Sequence, residues 1–276
     1  MRELFYRLSP ELRFVIRKVY FFPEDLYHQI SGKRKALEPK KGDIYIGSGD
    51  FIKQGQSQVA LLKELIDLQE NDTVLDIGSG IGRTAVPLTE FIINGKYEGF
   101  DVVKKGVDWC NKHIKSKYPN FNFTFTPLHN DLYNTYSTEA VSFKFPYADH
   151  SFDKAFLFSV FTHMRIDEIQ HYLKEIRRVL KKDGKCLATF FLYDDKEEEK
   201  IKQLEGFNFP HKFEEGYRLM SRNVQNANIA LHNELLLKLI ENADLEIESI
   251  EEGFWKGNLT KEQAKNFQDV VIIKSK

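Results

Sequence analysis

VLDIGSGIGR, residues Val74–Arg83, sets three apolar residues and an aspartate ahead of glycines at 78, 80 and 82. Such a run predicts a short strand, Thr73–Ile77, whose last residue feeds a glycine turn and then a helix. That geometry presents bare backbone N–H groups to whatever lies above the sheet. Upstream, Ser57 reads as the cap of a helix reaching Leu68, because Val59, Leu62, Leu65 and Ile66 recur at helical spacing. Downstream, Ala85, Val86, Leu88 and Ile92 mark a helix that Asn94-Gly95 should end in a left-handed stop. The alternation goes on with a strand at 97–101, a helix at 104–117, and strands at 123–128 and 154–160. A helix follows with Ile166, Ile169, Leu173, Ile176 and Leu180 on one face, then a strand at 185–192. Strands alternating with helices predict a parallel sheet covered on both sides. A last helix, 234–242, precedes two strand candidates, 245–250 and 269–274, with no crossover helix between them, so these two should pair antiparallel.

Two ligand types sit on a glycine loop of this kind: dinucleotides and S-adenosylmethionine (SAM). A dinucleotide loop reads G-x-G-x-x-G, the third glycine allowing close packing beneath a pyrophosphate. Here the spacing is G-x-G-x-G, and Arg83 occupies the slot of that third glycine. Asp76, two residues before Gly78, would repel a pyrophosphate and suits a ligand that bears a positively charged amino group. Asp101 ends the next strand at the place from which a carboxylate holds both ribose hydroxyls. A plain turn with surface acids is the competing reading of the same residues.

On these motifs the sequence from about Gln58 to the C-terminus resembles the class I SAM-dependent methyltransferases. VLDIGSGIG matches the family's first strand and loop, and YEGFD its second strand and acid. FPYADHSFDKAFLFSVF and YLKEIRRVLKKDGKCLATFFL match its fourth strand, next helix and fifth strand, and FQDVVIIK its final strand. The resemblance implies an α/β, doubly wound, mostly parallel seven-stranded sheet with helices on both faces and the last strand antiparallel. It implies SAM as cofactor, S-adenosylhomocysteine as product, and a binding set of Asp76, Ile77, Gly78, Ser79, Gly80, Asp101, Val102 and Ser159. By the same similarity Asp131, in HNDLY, would bond the adenine amino group and Leu132 would flank the ring. Relatives often carry glycine before the sixth strand; here NADL stands instead, and Asp244 can take a left-handed conformation at modest cost.

Methyl transfer from a sulfonium needs alignment, exclusion of water and, for some acceptors, removal of a proton. Residues 159–163 should line the acceptor space, with His163 as the candidate catalytic base or else a residue that packs or caps the next helix. Arg83 is a candidate for binding a carboxylate or phosphate, or else a surface arginine on the loop helix. FIKQG, 51–55, is a candidate for the cofactor's edge, and the aromatic run Phe207–Tyr217 reads as a substrate-facing lid or a locally packed insertion. No proline-proline-aromatic tetrad or Pro-Cys pair follows the fourth strand, no metal-ligand spacing occurs, and the domain is not basic. The acceptor is therefore expected to be a small molecule with an oxygen or nitrogen nucleophile, rather than nucleic acid. A catalytically silent SAM-binding partner and an NAD(P)-dependent oxidoreductase are the alternatives.

The 276 residues, 42% hydrophobic and 29% charged, suffice for a proper core. The expected division is a basic, helical N-terminal segment, 1–56, and a SAM-binding domain, 57–276, with a substrate-side insertion at 193–230. Net charge is -1, yet residues 1–41 alone carry ten Lys/Arg against five Asp/Glu; this reads first as a solvated basic face, and otherwise as a surface that attracts an anionic substrate or a lipid surface. No membrane span or secretory signal is evident, and Cys110 and Cys186 read as plain thiols, so the expected location is cytoplasmic.

Overall fold

The computed structural model describes residues 8–276 apart from positions 48, 131, 132, 135, 215 and 225. Helix α1, Pro10–Ile30, is capped by Ser9, and α2, Phe51–Leu65, by the Asp50 carboxylate, which accepts from the Lys53 amide at 2.8 Å. Strand β1 is Thr73–Ile77, helix α3 only Ala85–Leu88, β2 Lys96–Asp101 and α4 Lys104–Cys110, prolonged by a wider turn over Asn111–Lys115. Then come β3, Phe121–Phe125; β4, Phe152–Leu157; α5, Ile166–Val179; and β5, Leu180–Phe190. The chain continues through β6, Leu192–Tyr193; α6, Glu198–Gln203; β7, His211–Glu214; β8, Tyr217–Leu219; and β9, Ile229–His232. It closes with α7, Asn233–Glu241; β10, Leu245–Glu251; and β11, Asp269–Ser275.

Seven strands form the main sheet in the order β10-β11-β5-β4-β1-β2-β3, and β11 alone runs against its neighbours. The chain starts at the centre with β1, moves outward through β2 and β3, and returns to the other side of β1 as β4. That reversal leaves a crevice at the carboxyl ends of β1, β2 and β4, where doubly wound folds hold ligands. Alternation along β1 sorts its side chains: Val74 packs with Leu62, Ile66 and Ile114 on one face, Leu75 and Ile77 with Phe100, Ile169 and Leu173 on the other. Helices α2, α3 and α4 cover the first face, and α5 and α7 the second.

Several local expectations shift. Ser57 lies inside α2 rather than capping it, and its hydroxyl donates to the Lys53 carbonyl; the helix therefore crosses the expected boundary at residue 57. Neither Asn94 nor Gly95 is left-handed. Gly95 is needed for space instead, since a Cβ there would stand 2.1 Å from the Asp72 carbonyl oxygen. Helix α5 ends at Val179, and Leu180, expected on its apolar face, instead begins β5. Asp244 does adopt φ +56°. The aperiodic stretch after Tyr193 folds into a second sheet, β6-β9-β8-β7. Its apolar side chains split between the main core, which takes Tyr217, Leu219 and Ile229, and an aromatic cluster of Phe191, Phe209 and Trp255. Asp269 ties that cluster to the main sheet by accepting from Leu192 N, Gly253 N and Trp255 Nε1 at 2.7–2.9 Å.

Candidate cofactor and acceptor site

The glycine loop is held by its own backbone. Gly78 and Ser79 both donate to the Phe100 carbonyl, at 2.9 and 3.0 Å, and Gly82 donates to Ser79. All three glycines have positive φ, from 58° to 80°, a region costly for residues with a Cβ. At Gly78 the space is also closed, because a Cβ would meet Val160 Cγ2 at 2.5 Å. Two buried carboxylates flank the loop. Asp76 accepts a 2.5 Å hydrogen bond from the Tyr97 hydroxyl, one strand over. Asp101 accepts from Gly80 N at 2.8 Å with one oxygen and from Val103 N at 2.7 Å with the other.

Burial outweighs these donors. It raises the Asp76 carboxyl to about 7, with Asp101 adding to the rise and the Tyr97 bond opposing it. It raises Asp101 to about 6, against the two backbone donors. Both acids face a cavity of about 310 Å³ at the strand ends, within the size range of small-ligand sites.

Of the residues expected from sequence, Asp76, Ile77, Gly78, Ser79, Asp101, Val102, Ser159 and His163 line this cavity. Gly80 is not among the lining residues; it sits behind, with its N–H turned to Asp101 and its α-carbon facing Ile46. Asp131 and Leu132 lie outside the described residues. Ser159 takes φ +60° directly after β4, its amide donating to Thr189 Oγ1 and its hydroxyl to Gln268 Oε1. Such a conformation in a residue with a side chain is strain of the sort ligand sites retain.

Arg83 departs from its expected role. It lines the cavity, but its guanidinium donates to the Ile46 carbonyl and lies 5.8 Å from the Phe51 ring. Burial lowers its pKa to about 10. It thus fastens the N-terminal segment over the crevice. Residues 51–55 do not line the cavity; Tyr45, Ile46 and Gly47 do, while Gly55 packs against the Arg83 carbonyl. From the aromatic run only Phe207 reaches the cavity; Phe209 is in the aromatic cluster and Phe213 is exposed.

His163 sits in a one-turn helix after β4, with Nδ1 2.7 Å from the Asn226 carbonyl, so Nδ1 carries the proton of the neutral ring. Burial lowers the ring's pKa below its ordinary 6.5, the carbonyls of Asn226 and Ala227 opposing. Sequence reasoning missed Tyr97, whose role follows from strand register, and Tyr45, Gln58, Asn228 and Gln268, which arrive from distant segments. Ser79 lines the cavity, and its buried hydroxyl has no hydrogen-bond partner within the protein.

Residues 75–188 match the family model described as a methyltransferase domain. YrhH of Bacillus subtilis (strain 168), assigned by name to the methyltransferases, is 27% identical over 125 residues, 45% of this chain; the match spans only 61% of that relative's length. Among solved structures, a SAM-dependent methyltransferase of Methanosarcina mazei is 23% identical over 75% of this chain and 94% of its own, at a TM-score of 0.50. PH0226 of Pyrococcus horikoshii OT3 is 16% identical over 85% and 95%, at 0.56. At these identities the solved structures speak for the fold.

Proposed function

From a chain whose residues 75–188 match a methyltransferase-domain model, we propose a class I SAM-dependent methyltransferase acting on a small-molecule oxygen or nitrogen nucleophile. The observation that carries the reading is the pair of buried carboxylates, Asp76 and Asp101, facing one cavity from either side of a backbone-satisfied glycine loop. A ligand with a cationic amino group relieves the buried charge of Asp76, whereas a pyrophosphate adds to it. Asp101 retains lone pairs beyond its two backbone donors for a ribose diol. The unpartnered Ser79 hydroxyl suits the same polar ligand.

When bound, SAM supplies the electrophilic methyl group. The chain's own residues orient the acceptor and keep water out, with Phe207, Phe267 and Val160 among the apolar lining. In this reading His163, neutral and protonated at Nδ1, takes the acceptor's proton on its other ring nitrogen. The two cysteines, both buried and free, fit a reducing cytoplasm. Among the described residues no helix is long and apolar enough to cross a membrane.

The test is calorimetry with SAM, its demethylated product and NADH, followed by incubation with metabolite fractions. SAM and its product should bind, and the product should accumulate when the acceptor is present. A thermal shift with NADH and none with SAM would reverse the assignment. Tight SAM binding with no turnover across acceptor fractions would mark a silent SAM-binding protein.

A further inference from the structure

We propose that the outer face of α1 docks on an anionic lipid bilayer and sets the cavity beside it. The helix is inverted relative to an ordinary surface helix. Nine apolar or aromatic side chains between Leu12 and Ile30 are exposed, among them Val19 at 70%, Tyr20 at 76%, Phe22 at 62% and Ile30 at 78%. At 100° per residue these nine fall within roughly 160° of the helix circumference, and no charged side chain interrupts them. The opposite face, turned to the protein, carries Phe14, Arg17 and Asp25. A soluble surface rarely leaves so continuous an apolar stripe uncovered. Aromatic rings within such a stripe are the side chains that favour a headgroup boundary.

Charge selects the occupant. Lys33, Lys35 and Lys40 are exposed beyond the helix, Lys18 and Lys41 pair with Asp43 and Glu24, and residues 1–41 carry the chain's cationic excess. A second copy meeting this face would bring two such clusters together, whereas anionic headgroups neutralise them. The inner face fixes the helix to the cavity wall. The Asp25 carboxylate accepts from Lys41 N and Gly42 N at 2.7 and 2.9 Å, and Phe14 packs edge-on against Tyr45 at 5.5 Å. Tyr45 in turn lines the cavity and meets Tyr133 at 6.0 Å. Resting on the methyl-transfer reading above, this placement assigns the acceptor to the amphiphiles, with an apolar body that can stay in the bilayer while its nucleophile enters the cavity.

The full chain, without cofactor, is floated with vesicles of phosphatidylcholine alone or with phosphatidylglycerol added. At least about tenfold more protein should bind the anionic vesicles, and high salt should reduce the excess. Val19→Asp with Phe22→Asp should abolish binding, while Lys35→Glu with Lys40→Glu should remove only the preference for anionic lipid. Circular dichroism and SAM affinity should be unchanged in both, because the altered side chains face solvent. Vesicle binding equal in wild type and Val19→Asp/Phe22→Asp, or no better than to phosphatidylcholine, overturns the proposal. So does a wild-type dimer by light scattering that becomes monomeric in that variant without any lipid preference. Calorimetry with SAM on the same samples separates failure of the docking from failure of the methyl-transfer reading.

Discussion

Replacing Asp76 by Asn should make the cofactor-free protein more stable and the cofactor complex weaker. In the fold Asp76 rises from 3.8 to about 7, chiefly through burial. Three decades in proton affinity correspond to about 4 kcal/mol opposing folding once the group is ionised. A carboxyl whose folded pKa is raised contributes its full stability below the unfolded value, and loses it as pH climbs through the folded one. Wild type should therefore lose stability between about pH 4 and pH 7 at this site, while an amide, which does not titrate, should not. Tyr97 can still donate to the Asn oxygen, so the variant leaves no orphaned hydroxyl. The stability gap between variant and wild type should widen by about 3 kcal/mol from pH 5 to pH 8, read by urea denaturation at both values. SAM affinity should move the other way: its amino group pulls the Asp76 proton off, so wild-type binding should strengthen from pH 5.5 toward 7.5 with proton release into buffer. The variant should keep only the shallower slope that Asp101 contributes, and bind about tenfold weaker or worse. A stability gap flat across pH, together with identical pH profiles for SAM binding, would refute the argument that Asp76 is a buried acid waiting for a cation.

Asp101→Asn should weaken SAM binding by about 1–3 kcal/mol and lower stability as well, because an amide cannot accept from both Gly80 N and Val103 N; calorimetry and denaturation read the two losses separately. Gly78→Ala forces a Cβ into both an unfavourable φ and the Val160 methyl, so stability should fall by about 1–3 kcal/mol and SAM binding with it. His163→Gln should lower kcat by about 10²-fold or more with SAM affinity unchanged, and should remove an acid limb lying below pH 6.5 in the kcat profile; retained turnover across that range would leave His163 a residue that only braces Asn226.

What was legible in the sequence was what local chemistry dictates. The glycine spacing, Asp76 and Asp101 sit within one strand-turn-helix unit and its neighbour, and the mostly parallel sheet with an antiparallel end follows from the succession of strands and helices. Boundaries were less legible where two residues competed for one role. Asp50 takes the cap that Ser57 was expected to provide, because a carboxylate placed seven residues earlier reaches a free amide first. Arg83 could not be assigned from its spacing, since its partner is the Ile46 carbonyl, 37 residues away. The second sheet was hidden for a related reason: strands of two to four residues are too short to display a period, and Phe209 and Tyr217 declare their burial only when packed.

The charge of the cavity narrows the ligand further than the glycine loop can. Among the described lining residues Arg83 is the one lysine or arginine, and its guanidinium is committed to Ile46. His163 is held neutral by burial. Arg83 keeps its positive charge but pairs with neither Asp76 nor Asp101, and burial raises both carboxyls toward neutrality. At neutral pH the empty cavity keeps part of that charge as bound protons, a state that an anionic ligand would reinforce and a cationic one would discharge. Loops with the same glycine geometry can receive either ligand, so it is the uncompensated acid pair that makes the distinction here. The same reasoning demands that positive charge arrive with the cofactor, and it ties the strength of binding to the protonation of Asp76.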